Sequence, residues 1–260
     1  MMWISRSTSK RPAAVKTDPM QEDPLTRAKT YPYLIPSTSF IFDNGKTTAI
    51  EADERLTDLA DRTPVLAVGS NQSPIQLSRK FNGRDWGPIP VVRTVLHNYD
   101  SVYSPHVASY GSIPATLQEV AGVRVSLFVT WLDEVQLTRM HETEVSGANY
   151  SFGLLSDLQI EVEVGPPIEA VHIYNSTRGT LCDEHGPIPL MEVRAEGRSR
   201  RAMSQLEVQE HIRDVLNPGM ETDDFIRTSI NDAYLRQVRS DQLRVNTQPF
   251  VPKSFREIPI

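Results

Sequence analysis

The chain has 260 residues, 39% of them hydrophobic, with a formal net charge of −6 at pH 7 and an isoelectric point near 5.6. That length supports one sizeable core, read as a single domain with tails. The acidic balance argues against a general affinity for nucleic acid or anionic membrane surfaces, and no apolar run reaches membrane-spanning length. The lone cysteine, Cys182, excludes an intramolecular disulfide and any CxxC arrangement.

Residues 1–17 hold the bases Arg6, Lys10, Arg11 and Lys16, no acid, and no apolar stretch of signal-peptide length. Residues 1–30 therefore read as a disordered tail and the expected location is cytoplasmic. Order is expected from Tyr31 to the C-terminus, with the core over about 64–243. Alternation on either side of Asn44-Gly45 predicts a hairpin over 39–50, followed by a short charged helix over 51–62. Val65 to Val68 form an apolar strand that breaks at Gly69. Ser73 and Pro74 then open a helix through Phe81 as N-cap and first-turn proline. A strand that reaches a helix through Gly69, Ser70, Asn71 and Gln72 offers backbone N–H groups suited to an anion or a developing oxyanion.

Strands are expected over 91–96 and 101–103, then over 122–131, where Val123, Val125, Leu127, Val129 and Trp131 alternate as in a half-buried strand. Asp133 caps the helix that follows. In that helix Met140 and Glu144 lie within about 60° of Leu137, whereas Glu142 sits about 140° away. Glu144 therefore points inward and Glu142 outward. A carboxylate on an apolar face is paired, protonated or used, and without a close cation desolvation raises its pKa. Glu144 is thus either a partner in an ion pair or a candidate general acid/base.

Further on, 158–164 and 168–174 alternate around Gly165-Pro166-Pro167 and read as a hairpin, and 190–194 read as a further strand. The basic run Arg194 to Met203 reads as a solvated loop. Ser204 and Glu207 form a capping box for a helix to Leu216, Asn217-Pro218-Gly219 end it, and Thr222 starts another through Leu243. The proline-containing C-terminus reads as an extended strap. The six histidines show no metal-ligand spacing, and Val145 stands where HETEV would need a second histidine for a zinc helix. His141 reads as a core or supporting residue. No nucleotide-binding fingerprint is present, so no metal and no cofactor are expected. Composition leaves the oligomeric state open.

Four segments, in this order, resemble the gamma-glutamylcyclotransferase family: Val68-Gly69-Ser70-Asn71, then Gly111-Ser112-Ile113-Pro114-Ala115-Thr116, then Met140-His141-Glu142-Thr143-Glu144, then Ser146-Gly147-Ala148-Asn149-Tyr150. The resemblance spans about residues 65–175. It departs at Val68, where the family usually has tyrosine, and at Val145, where glycine usually follows the acid. It implies an α+β fold with a mixed, partly closed sheet or barrel flanked by helices. It implies that the loop at Gly69, Ser70, Asn71 and Gln72 holds a glutamyl group, with Val68 at its start, that Glu144 is the acid/base, and that Tyr150 lines the pocket. The implied partner is a small gamma-glutamyl substrate, converted to 5-oxoproline and a free amine by intramolecular acyl transfer. A non-catalytic ligand-binding or regulatory module on the same fold, and an interaction domain acting through the terminal segments, are the readings from other classes.

Overall fold

The computed structural model describes residues 22–260 apart from 51–55, 57–58, 146–148, 251 and 253. The described part of the expected tail is not all tail. Asp23 caps α1 (Pro24–Lys29) by accepting from the Thr26 amide, Ala28 is fully buried, and Lys29 pairs with Asp223. The expected charged helix lies mainly on residues outside those described, and residues 60 and 61 form a turn.

The hairpin forms as β1 (Phe40–Asp43) and β2 (Lys46–Ala49), with positive φ at both Asn44 and Gly45, the geometry a two-residue hairpin turn requires. β3 (Thr63–Ala67) leads through a 3-10 turn at Ser70–Gln72 into α2 (Pro74–Lys80), capped by Ser73. The two short strands expected next are one strand, β4 (Ile89–Tyr103), bent by a register shift between His97 and Tyr99. Asn98 takes a positive φ there, and its side chain accepts from the Gly122 amide at 3.0 Å. The strand expected over 122–131 is likewise the second half of β5 (Ala115–Leu132). α3 (Glu134–Glu144) follows, with a complete capping box between Asp133 and Gln136.

The remaining elements are β6 (Tyr150–Leu155), β7 (Ile160–Val162), β8 (Val171–Ser176), β9 (Thr180–Asp183), β10 (Gly186–Pro187), β11 (Ala195–Glu196), α4 (Gln205–Leu216), α5 (Thr222–Asn231), α6 (Ala233–Gln242), β12 (Thr247–Gln248) and β13 (Phe255–Glu257). The expected hairpin across Gly165-Pro166-Pro167 does not form. β7 pairs with β4, whereas β8 lies between β6 and β3, because a proline pair cannot supply the tight turn that would keep the two strands adjacent. Residues 190–194 make only an isolated bridge, Leu190 to Met203, instead of a strand. The expected helix from Thr222 to Leu243 is two helices, since the Asp232 side chain turns to accept from the Leu235 amide and caps α6.

The main sheet runs β13-β6-β8-β3-β5-β4-β1-β2, with β11 beside β5 and β7 beside β4; β10, β9 and β12 form a smaller sheet. It is mixed: β3 and β8 are parallel, and the other described pairs are antiparallel. β13 and β2 end the sheet without pairing to each other among the described residues, so it does not close into a barrel. Neighbouring residues of its central strands enter different cores. Leu66, Val92, Leu127 and Val129 join Val208, Ile212 and Phe225 from α4 and α5 on one face. Val65, Val91 and Phe128 join Leu77, Phe81 and Met140 from α2 and α3 on the other. The segment read as half-buried is therefore covered on both faces at its C-terminal end. Among the described residues no helix is long and apolar enough to cross a membrane.

Candidate functional site

The site lies where β3 gives way to α2 and where α3 ends. Gly69 is required there by close approach: a Cβ would stand 2.2 Å from the Tyr31 hydroxyl and 3.0 Å from the Ala115 Cβ. The capping box starts α3 at Asp133, and fully buried Gln136 fastens it by donating to the Trp86 carbonyl at 2.8 Å and accepting from Arg62 at 3.0 Å. The helix then turns Met140 into the core and carries Glu144, its last residue, to the loop.

Glu144 is 16% exposed. Its Oε1 accepts from Asn71 Nδ2 at 2.9 Å and from the Lys80 ammonium, while Oε2 has no partner among the described residues. Glu142 is 59% exposed and pairs with Arg139 at 2.8 Å. Lys80 is the close cation that the sequence argument for a raised carboxylate pKa assumed absent. A signal for it existed: Lys80 follows fully buried Leu77 by three residues on α2, about 60° away around the helix, the same phase argument that selects Glu144.

Glu144, Val68, Gly69, Ser70, Asn71 and Tyr150 all line one cavity of about 600 Å³. Gln72 is not part of its lining; it is fully buried, and its side chain donates to the Gly69 carbonyl at 3.2 Å. The loop amides are also less open than expected. The Gln72 amide donates to Gly69 and the Ser73 amide to Ser70, while the Ser70 amide approaches the Tyr31 hydroxyl. The Gly69 and Asn71 amides are left without an acceptor among the described residues. The Asn71 side-chain carbonyl is likewise buried and unpartnered.

The Tyr150 hydroxyl donates to the Ala115 carbonyl at 3.0 Å, and its ring meets His106 edge to face. His106 holds Ser104 through Nδ1 at 2.9 Å, and Ser104 holds Ser176 at 2.8 Å. Burial, with help from the Arg178 charge, pushes the His106 pKa down to about 3, so this wall is neutral. Tyr174 closes the side above Glu144, its hydroxyl 2.7 Å from Nδ1 of His141; burial lowers the His141 pKa.

Cations dominate the rest of the lining. Arg178 binds Asn149 at 2.7 Å and Asp241 at 3.1 Å, and Arg79 pairs with Glu22. Arg27 lies over the Tyr110 ring at 4.6 Å, and Arg236 donates to the Ser229 carbonyl at 2.7 Å. Neither Arg27 nor Arg236 has a carboxylate partner among the described residues. Sequence reasoning missed these residues because they come from α1, α2, the turn after β8 and α6, which share no pattern that points to a common site. Ser146, Gly147 and Ala148 of the resembling segment lie outside the described residues.

Among the described residues no group of three or more His, Cys, Asp or Glu is placed to hold a metal ion. The cavity instead combines one carboxylate with a free oxygen, two loop amides, several tyrosine hydroxyls and a cationic rim. Such a set can bind an anionic small molecule and move a proton at one point. No family model, curated protein or solved structure matches the chain.

Proposed function

We propose that this protein cyclises a small gamma-glutamyl amine or amino acid to 5-oxoproline with release of the free amine, as the segmental resemblance to gamma-glutamylcyclotransferases implies. The observation that carries this reading is the Glu144 carboxylate, steadied through Oε1 by Asn71 and Lys80 and open at Oε2, facing the Gly69–Asn71 loop inside one cavity. A volume of about 600 Å³ suits a small ligand. The mixed sheet, with the acid helix following its long β5 strand, is compatible with a cyclotransferase-like fold.

The chemistry asks little of the protein because the substrate brings its own nucleophile. The alpha-amino nitrogen attacks the gamma-carbonyl carbon, Glu144 Oε2 takes the nitrogen's proton, and the carbonyl oxygen becomes anionic beside the Gly69 and Asn71 amides. Collapse reforms the carbonyl, breaks the bond to the leaving nitrogen and returns the proton to it. The unpartnered Asn71 carbonyl is suited to accept a hydrogen from the attacking amine and orient it. Arg27 and Arg236, without ion-pair partners, are suited to the carboxylates such substrates carry.

The alternative is a binding module without turnover. Val68 favours it, since its apolar side chain lines the cavity where the family usually places a phenol. Incubating the protein with a panel of gamma-glutamyl amino acids and amines and measuring 5-oxoproline decides between the two. Release from at least one compound is expected; tight binding of those compounds with no 5-oxoproline formed selects the binding module.

A further inference from the structure

The cavity holds a phenol after all, delivered from another part of the chain. Tyr31 follows α1 and is 3% exposed, yet it lines the cavity beside Gly69, Ser70 and Ala115. Its hydroxyl oxygen sits so close to Gly69 that no side chain fits between them. That oxygen accepts from the Ala115 amide at 2.8 Å, and the Ser70 amide approaches it as well. A phenol oxygen has two acceptor sites and one hydrogen. With one site taken by the Ala115 amide and the Ser70 amide near the oxygen, the hydrogen is left, and it meets no acceptor among the described residues.

Two other phenol hydroxyls nearby differ. Tyr150 gives its hydrogen to the Ala115 carbonyl, and the Tyr174 hydroxyl is engaged with His141. Tyr31 is thus a donor oriented by the Ala115 amide and set against the loop that carries the free Gly69 and Asn71 amides. Burial pushes its pKa well above the ordinary phenol value, so the hydrogen stays in place at neutral pH. Each amide that donates to the oxygen also polarises the O–H bond and strengthens it as a donor.

Resting on the cyclisation reading, we infer that Tyr31 is a catalytic hydrogen-bond donor to the gamma-carbonyl oxygen, supplying from the N-terminal segment the phenol that Val68 lacks. As the alpha-amino nitrogen bonds to the carbonyl carbon, the carbonyl electron pair moves onto oxygen, and the Tyr31 O–H bonds to that oxygen more strongly than to the neutral carbonyl. Tyr31 keeps its proton throughout. Proton traffic stays with Glu144, so the electron count closes without any further reactant.

Two measurements on the full chain test this. In steady-state kinetics on the compound that gives most 5-oxoproline, Tyr31→Phe is expected to lower kcat by about 10²- to 10³-fold with KM nearly unchanged, the mark of an interaction made in the transition state. An unchanged kcat, or a rise in KM alone, overturns the assignment while leaving the cyclisation reading intact. The second measurement needs no turnover. Gamma-glutamyl-alanine labelled with ¹³C at the gamma-carbonyl is bound to Glu144→Gln protein, and its infrared carbonyl stretch is compared with that in the Tyr31→Phe, Glu144→Gln double variant. A lower frequency with Tyr31 present supports the donor role; identical frequencies in both folded proteins refute it. Failure of the labelled compound to bind either protein, with no compound of the panel releasing 5-oxoproline from the wild type, overturns the donor assignment and the cyclisation reading together.

Discussion

A buried carboxylate, Asp100, and a half-buried one, Glu144, each face a cation, and they are held in opposite ways. Asp100 on β4 is 2% exposed and takes both guanidinium branches of Arg198, at 2.8 and 2.7 Å, so each of its oxygens is occupied. Arg198 belongs to the run expected to be a solvated loop, and its side chain is 13% exposed. Burial raises the Asp100 pKa even against Arg198. Glu144 receives both of its partners on one oxygen and opens the other to the cavity. A saturated pair joins two segments and has no capacity left for chemistry; an unsaturated one stays oriented and available.

The comparison is broken most directly at its reactive member. Glu144→Gln preserves the shape and can still accept through one oxygen, but it cannot relay a proton, so turnover to 5-oxoproline should fall by about 10²- to 10⁴-fold in the protein that remains folded, while the buried Lys80 charge, left without its carboxylate, lowers the melting temperature. Wild-type rates in this variant would end the acid/base assignment. At the saturated member the expectation reverses. Asp100→Asn leaves the Arg198 charge buried and half-partnered, and urea unfolding should report a loss of about 3–5 kcal/mol, with kcat unchanged in the protein that remains folded. A loss below about 1 kcal/mol would mean that the pair is solvated after all.

Acid titration sharpens the contrast, because the acid response in the histidine range belongs to neither carboxylate. The His106 pKa is about 3 in the fold against 6.5 for a free imidazole, so below pH 6.5 the unfolded chain binds a proton that the fold excludes. This contribution to stability is intact above pH 6.5 and is lost as pH falls toward 3, with a slope approaching about 1.4 kcal/mol per pH unit. Asp100, its pKa raised, works in the opposite sense over the carboxylate range. Unfolding curves of His106→Gln at stepped pH should show a flatter decline between pH 6 and about pH 4; a decline equal to wild type would locate the acid response elsewhere. The smallest effect belongs to Glu142→Gln. On the exposed side of α3 it should shift stability by less than about 0.5 kcal/mol and leave turnover unchanged, and a larger effect on turnover would undo the helical phase on which Glu144 was chosen.

Legibility divides along the range of the interactions involved. The Asp133 cap, the Ser204 capping box, the Asn44-Gly45 turn and the Ser73-Pro74 helix start all appear as read, each being a contact within a few residues. The inward phase of Glu144 and the outward phase of Glu142 belong to the same class. The misreadings involve choices that local pattern leaves free. A bulge at Asn98 lets two apparent strands continue as one, and Asp232 serves as a helix cap where periodicity alone suggests a continuous helix.

The sequence by itself determined which short segments turn, cap and alternate, and which face of α3 carries a carboxylate inward, because steric and hydrogen-bonding preferences within a turn or two of chain decide those matters. Only the tertiary structure decided what that carboxylate meets. Lys80 reaches it because α2 packs beside α3, Tyr31 enters its cavity because α1 docks near α5, and Arg198 finds Asp100 across 98 residues of chain. Partners so distant are selected by the packing of both faces of the sheet, an energy summed over many residues that no single stretch of sequence encodes.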